Sequence, residues 1–488
     1  MVFEDEAAPR FRREDREPSF HRDDEAAKAG ALRGQRVVVF KDLAALERFL
    51  KRARDQVSVL GRLDALRALR LGFLNPEALA SLLDGDAQAS LIFPVDVPGA
   101  PQQGKVQEGA VALRDKLLDW LGIMGDNATW GSGVKIAILD TGVVASPAFK
   151  SLIVSNNLVD LPLDLSKQDG HGTAVTSMII GQNPLTPGVA PGADILSFRI
   201  ADDLGQSDSF LLAKGIVAAV DAGAQLINIS MGSQGDSGLV KNAIEYARAA
   251  GTLIFAAVGN YGTDQVAYPA ANSGVIGVGA VDALGNHLDF SNTGSQVAMA
   301  APGYGINAAW TEDQAVSVTG TSFSSPIVTA CVAVLMSQLG LSPQQAYDRL
   351  VYYSNDGGAA GTDTGLGVGM PDLGRALIGN TPGIYDAAVA SQRILPPSAG
   401  YPYGQFEILV QNRGTETLVN TSLSFSNAGA TTRYNITSLP ANGVQTLFIP
   451  ISQAMAAGTV YGSKVALSSG AKDAKPSNNS RAEKTYAP

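Results

Sequence analysis

Between Val111 and Leu377, short apolar runs alternate with longer stretches of helical period: Val134 to Leu139, Ile195 to Ile200, Leu226 to Ser230, Leu253 to Val258 and Val275 to Val281. Continuous apolar runs suit strands buried on both faces, so 111–380 is expected to be an α/β unit, a doubly wound parallel sheet with helices on both sides. Upstream the pattern changes. Val37-Val38-Val39-Phe40 reads as a strand, and Leu43, Leu46, Phe49 and Leu50 then recur at helical spacing. From Val57 to Phe73 two readings stand: Leu69, Leu71 and Phe73 alternate as in a strand, while Leu63, Leu66 and Leu69 make a helix face. Asn75-Pro76-Glu77 opens a short helix and Leu91-Ile92-Phe93 closes as a strand, which makes 35–98 a small α+β unit. Downstream, Phe406, Ile408 and Val410 alternate, as do Val444, Thr446 and Phe448, so 381–488 is expected to be an all-β immunoglobulin-like sandwich.

Charge and composition refine this division. Residues 1–34 mix both charge signs with few large apolar side chains and read as a disordered, solvated tail. The stretch 99–110, entered through Pro98-Gly99-Ala100-Pro101-Gln102-Gln103-Gly104, lacks an apolar period and reads as a linker open to proteolysis. A net charge of -10 leaves no basic excess for phosphates, which argues against a nucleic-acid partner. The chain has 1 cysteine, Cys331, so no intrachain disulfide can form; an apolar helical setting is expected for it. No run of some 18 apolar residues stands out as a membrane span. Met1 to Arg16 is charged where a signal peptide needs an apolar stretch, so secretion is expected only if such a peptide has been removed, and a cytoplasmic setting otherwise.

Three glycine-flanked segments carry the chemistry: Ile138-Leu139-Asp140-Thr141-Gly142-Val143, Asp169-Gly170-His171-Gly172-Thr173, and Thr319-Gly320-Thr321-Ser322-Phe323-Ser324-Ser325-Pro326. A serine hydroxyl attacks an amide only with a base in hydrogen-bond reach and an anion to orient that base. Ser322 precedes the apolar helical stretch Ile327 to Leu339, where free backbone donors and the positive dipole end would stabilise an oxyanion. His171 is better placed than His21, in the charged tail, or His287, in a polar turn. On residues alone, Thr321 and Ser322 also suit helix caps, and Asp169 rivals Asp140.

With the chain order Asp, His, Ser, these motifs resemble the subtilases, the subtilisin-like serine peptidases, from about Trp130 to Leu377. The resemblance implies an endopeptidase with Ser322 as nucleophile, His171 as general base and then acid, and Asp140 as its orienting anion. Ala256-Ala257-Val258-Gly259-Asn260 resembles the family's oxyanion segment, which makes Asn260 the second donor. An extended peptide substrate is implied, with Ser230, Met231 and Gly232 on one wall of the main pocket and Ala257, Val258 and Gly259 on the other. Leu204-Gly205-Gln206-Ser207, with Gly205 and Gln206 foremost, supplies the opposite edge. Ala267 stands where many relatives have glycine at the pocket floor, which implies a preference for mid-sized apolar residues. The module 35–98 resembles the family's inhibitory propeptide, a partner in cis cut off within or shortly before the linker; a permanent accessory domain is the alternative. The ending around Asp473 and Ser477-Asn478-Asn479-Ser480 resembles a bacterial cell-adhesion-related repeat.

Departures from the common pattern are Ala174, Ile327 and Phe323, in place of histidine, histidine and methionine. No cofactor is required by the chemistry. Many relatives hold calcium in an oxygen-rich loop after the histidine helix, but Gln182-Asn183-Pro184-Leu185-Thr186-Pro187 is short, so that site is expected to be lost. Two other readings remain at this point, a non-catalytic scaffold presenting its sandwich and a processing peptidase with one dedicated substrate.

Overall fold

A computed structural model of the chain describes residues 23–53, 56–73, 76–101, 106–144, 146–159, 170–311, 314–468 and 471–485. The first of these correct the expected tail. Asp23 caps helix α1 (Asp24–Lys28) and is buried against Arg36 at 2.6 Å, so 23–34 is anchored; 1–22, with His21, lies outside the described residues. A four-stranded antiparallel sheet follows, built from β1 (Gln35–Phe40), β2 (Ser58–Leu63), β3 (Ala68–Gly72) and β4 (Ala87–Ser90) in the order β2-β3-β1-β4. The ambiguous stretch 57–73 is therefore a hairpin, with a one-turn 3₁₀ segment between its strands. Helices α2 (Leu43–Arg52) and α3 (Pro76–Leu82) cover one face, burying Phe40, Leu46, Phe49 and Leu79 with Val38, Leu69 and Leu71. Asn75, expected to open α3, lies outside the described residues.

The expected closing strand is displaced. It is 87–90 that pairs with β1, while Leu91-Ile92-Phe93 leaves the sheet for the larger unit. Ile92 is fully buried, and the Phe93 backbone bonds Ser209 in both directions, its N–H donating to Ser209 Oγ at 3.1 Å and its carbonyl accepting from Ser209 N at 2.9 Å. Strand β5 (Pro94–Asp96) continues from there, and one-turn helix α4 (Leu117–Trp120) precedes the main sheet.

That sheet has 7 parallel strands: β6 (Lys135–Asp140), β7 (Ile153–Asn157), β10 (Asp194–Arg199), β12 (Leu226–Ile229), β13 (Leu253–Ala257), β14 (Val275–Val281) and β15 (Val297–Pro302), ordered β15-β14-β13-β12-β6-β10-β7. Side chains alternate across β6, so Ile136 and Ile138 join one core while Ala137 and Leu139 join the other. On the first face lie α5 (His171–Ile180) and α8 (Thr321–Leu339); on the second lie α6 (Ser209–Asp221) and α7 (Gly238–Ala249). The winding reverses beside β6, where open α/β sheets form a crevice at their carboxyl ends. α8 starts at Thr321, one turn earlier than its apolar stretch suggested. It is long and apolar enough to cross a membrane, yet 83% of its most apolar window is buried, as befits the central core helix. Cys331 sits fully buried on it, and burial pushes its thiol pKa up.

The remaining elements are the two-residue strands β8 (Gln182–Asn183) and β9 (Thr186–Pro187), strand β11 (Gln206–Asp208) paired with β5, the hairpin β16 (Ile306–Ala309) and β17 (Ala315–Val318), and helices α9 (Pro343–Tyr352) and α10 (Leu373–Ile378). The C-terminal part is a sandwich. β18 (Ala387–Leu395), β19 (Gln405–Asn412) and β22 (Val444–Pro450) make one sheet. β21 (Ala430–Leu439), β20 (Leu418–Asn427), β23 (Val460–Ala466) and β24 (Ser480–Lys484) make the other. Phe406 is the centre of its core, with Phe425 and Tyr461 at 4.7 and 5.0 Å between ring centroids.

Candidate active site

β6 delivers Asp140 at its carboxyl end, fully buried, and α5 begins at His171 across from it. His171 Nδ1 lies 2.8 Å from Asp140 Oδ1 and 3.1 Å from Oδ2, and Oδ1 also accepts from Thr141 N at 2.7 Å. A carboxylate on Nδ1 fixes the tautomer that leaves Nε2 as proton acceptor. The glycine after the histidine is a steric need: a Cβ on Gly172 would sit 2.2 Å from the Gly142 carbonyl. Asp169, the rival carboxylate, lies outside the described residues.

Ser322 stands in the first turn of α8, 1% exposed, and with His171 and Asn260 it lines a cleft of 520 Å³. Phe323 beside it packs on the imidazole, with ring centroids 5.5 Å apart. The Asn260 carboxamide is oriented by its oxygen, which accepts from Thr321 N at 2.9 Å and Thr321 Oγ1 at 2.8 Å. Its Nδ2 must then face the cleft as a donor. Gly320, at φ 146, keeps this approach open, since a Cβ there would fall 2.9 Å from Nδ2.

The expected walls also assemble here. Ser230-Met231-Gly232 follows β12, and Ala257-Val258-Gly259 ends β13. Ala267 N donates to the Val258 carbonyl at 2.9 Å, which sets the Ala267 methyl between the walls, 3.3 Å from where a Cβ on Gly232 would be and 3.4 Å from one on Gly259. Gly205 and Gln206 form the other edge, held in a turn by the Asp202 carboxylate, which accepts from Leu204 N at 3.0 Å and Gln206 N at 2.9 Å.

The chain itself lies between these edges. β5 pairs antiparallel with β11; Asp96 exchanges two backbone bonds with Gly232, both 2.9 Å; Val97 N donates to Gly205 O at 2.9 Å. Pro98, Gly99 and Ala100 continue into the cleft, and Asn260 Nδ2 donates to Gly99 O at 3.4 Å. The part of the expected linker before its undescribed residues thus follows β5 into the cleft without strand pairing of its own.

Sequence reasoning missed several supporting residues. Buried Asn228 donates to Ser230 Oγ at 3.0 Å and accepts from Ser325 Oγ at 2.7 Å, tying one wall to the helix that carries Ser322. Asn292 Nδ2 donates to the Val258 and Gln265 carbonyls at 3.1 and 2.9 Å, bracing the other wall. The signal for Asn228 was available, because an amide inside the apolar run Leu226 to Ile229 needs partners when buried. Trp310, also in the cleft lining, gave none. His287, expected in a polar turn, is half-buried in a bridge to Val281 just after a turn, and desolvation holds its imidazole below the usual range.

Gln182 to Pro187 has no carboxylate and folds as the tight pair β8–β9, with the Asn183 side-chain oxygen accepting from Leu185 N at 2.9 Å.

A motif set of this kind, at the reversal point of such a sheet, matches a known family: the profile described as "Subtilase family" aligns with residues 131–369. Thermitase from Thermoactinomyces vulgaris is 36% identical over 43% of this chain and 76% of its own length. The chain belongs to the subtilase family. Residues 131–369 form a subtilisin-type serine endopeptidase unit. This subtilase is also 34% identical to the thermostable alkaline protease of Halalkalibacterium halodurans, over 43% of this chain but only 58% of that protein. Fervidolysin from Fervidobacterium pennivorans, described as a keratinolytic enzyme related to subtilisin, shares the fold over 94% of this subtilase and 76% of its own chain, with a TM-score of 0.60 at 22% identity.

Proposed function

We propose that this subtilase hydrolyses extended peptide segments through Ser322, His171 and Asp140, and that it is made as a precursor in which residues 23–99 cover and occupy the site. His171 Nε2 takes the Ser322 proton as Oγ attacks the carbonyl carbon; the Ser322 N–H and Asn260 Nδ2 stabilise the oxyanion; His171⁺, held by Asp140, returns the proton to the departing amine. Water then repeats the sequence on the acyl-enzyme. The observation that carries this reading is the strand 94–97, ladder-paired to Gly205–Asp208 on one side and Gly232 on the other, because strand addition is how a sheet edge reads a peptide backbone.

The placement of Ala267 supports a shallow main pocket for small to mid-sized apolar side chains. Ala267→Gly is expected to admit Phe-sized residues in a peptide library, and fast cleavage after Trp by the unmodified enzyme would contradict the pocket assignment.

Intact masses of purified wild type and Ser322→Ala test the whole. Loss of roughly the first hundred residues in wild type alone, with digestion of casein, is the expected result. Two uncut chains without activity on casein would overturn it, and self-cutting without casein digestion would favour a processing peptidase with a dedicated substrate.

A further inference from the structure

We propose that Gly99–Ala100 is the bond this precursor cuts in itself, and that Pro98 holds the cut back. The inference rests on the self-processing reading above and adds the register and the brake. Asp96 faces Gly232 in the antiparallel ladder, so the residue two further on, Pro98, is brought opposite Ser230. A residue with an N–H would there donate to the Ser230 carbonyl; proline has none. The Ser230 carbonyl instead accepts from the Ser322 hydroxyl at 3.2 Å. The Ser322 hydroxyl thus has a backbone acceptor that competes with the base for its proton. Meanwhile the carbonyl in reach of the oxyanion donor is that of Gly99, 3.4 Å from Asn260 Nδ2, a contact expected to shorten on attack. The strand next to it is small and open: Gly99 and Ala100 are exposed, and a Cβ on Gly99 would meet nothing within 4 Å.

The step balances within the chain. Ser322 Oγ bonds to the Gly99 carbonyl carbon, the Gly99 C–Ala100 N bond breaks, and the serine proton passes through His171 to the Ala100 nitrogen, which becomes the new terminal amine. Water then gives its oxygen to Gly99 and one proton back to Ser322 through His171; its second proton leaves as the new acid ionises to a carboxylate and is taken up by the Ala100 amine.

The test follows the purified full chain by intact mass and N-terminal sequencing, in wild type, Pro98→Ala and Ala100→Pro. Their Ser322→Ala forms must melt alike, so that rates are compared between intact folds. The expected result is an Ala100 terminus in wild type, the same terminus appearing about fivefold faster in Pro98→Ala, as restoring one hydrogen bond implies, and no cut between 99 and 100 in Ala100→Pro. A Gly99 terminus, or any other, overturns the bond assignment and leaves the endopeptidase reading intact. An unchanged or slower rate in Pro98→Ala overturns the brake. A wild-type chain that stays whole yet hydrolyses a separate peptide overturns self-cutting alone, whereas one that does neither overturns the endopeptidase reading itself.

Discussion

The N-terminal flank meets the protease unit through apolar side chains, a backbone ladder and the Arg70–Asp208 ion pair at 2.8 Å, whereas the C-terminal sandwich meets it through buried guanidinium groups. Leu63, Leu66, Ile92 and Val95 share one core with Phe210, Ile216 and Leu239, so on the N-terminal side the boundary is nearly non-directional. On the other side Arg375 donates to the Tyr353 carbonyl (3.0 Å) and Asn355 Oδ1 (2.9 Å) in the protease unit, and to the Arg413 carbonyl (2.9 Å) and Asn442 Oδ1 (2.6 Å) in the sandwich. Gln411 adds bonds to the Ser354 carbonyl and from Asp356 N. A web of buried, directed bonds fails if its partners shift, so it fixes the sandwich in place. The N-terminal flank, by contrast, is held by a shared apolar core, by β5 paired to the site's edge and by one ion pair.

If the flanks differ in this way, chemistry at the site must govern the N-terminal one alone. Asn260→Ala should slow appearance of the mature chain by about 10²- to 10³-fold, the loss recorded for the matching donor of a subtilisin. Protection of the sandwich against exchange should not change. Equal rates of maturation by mass spectrometry would remove Asn260 from the oxyanion site.

The next effect in size is on the other flank. Arg375→Met takes a donor from three backbone carbonyls and two asparagine oxygens at a buried junction, which should cost about 3 kcal/mol. Denaturant unfolding should then split into two transitions, the sandwich separating first. A single transition at the wild-type midpoint would show that the web does not hold the junction.

Legibility in the sequence divides along the same line. The segments that the fold brings together around the cleft stand out in the sequence because each is a local string with its own chemistry. The central strands were readable because burial on both faces leaves unbroken apolar runs. β7 was missed for lack of that signal, being a partly exposed edge ending in Ser155-Asn156-Asn157, and β15, though apolar, is half alanine and carries little β preference. Asp23 was read as solvated because its partner, Arg36, pairs with it only in three dimensions. The same holds for Pro98 and Gly99. Their composition says linker, and only the pairing of Asp96 with Gly232 and of Val97 with Gly205 just before them leads them into the cleft.

A smaller effect sharpens the N-terminal side of the comparison. Arg70→Met removes the ion-pair partner that the flank gives the buried Asp208 carboxylate, while the Phe210 and Leu211 N–H groups keep that carboxylate capping α6. In the Ser322→Ala precursor this should loosen residues 58–72 by about 1–2 kcal/mol of exchange protection and leave α6 unaffected. Loss of protection across α6 as well would mean that the pair belongs to the folding of the protease unit rather than to docking.

The smallest expected effect is the response to acid, and here the flanks should move in opposite senses. At Asp23 burial pushes the carboxyl upward, but the Arg36 hydrogen bond, the Ala26 and Gly34 N–H groups and the Arg36 charge outweigh it, and its pKa falls below the usual 3.8. A depressed carboxylate contributes stability that is present above 3.8 and lost as pH falls through its folded value. At Asp386 burial dominates the Asn478 hydrogen bond and raises the pKa, so the folded state binds the proton more readily than the unfolded one. Its contribution declines as pH rises from 3.8 through the raised value, and acidification over that window restores it. Exchange protection in the Ser322→Ala chain, corrected for intrinsic rates, should therefore fall for residues 23–40 as pH drops below 3.8, while residues 386–412 hold or gain as pH drops towards 3.8 from above. Asp386→Asn should remove the gain and leave the N-terminal loss. If both segments lost protection together in wild type, the two carboxylates would not be setting the acid response of their own flanks, and the difference between the junctions would lie in packing alone.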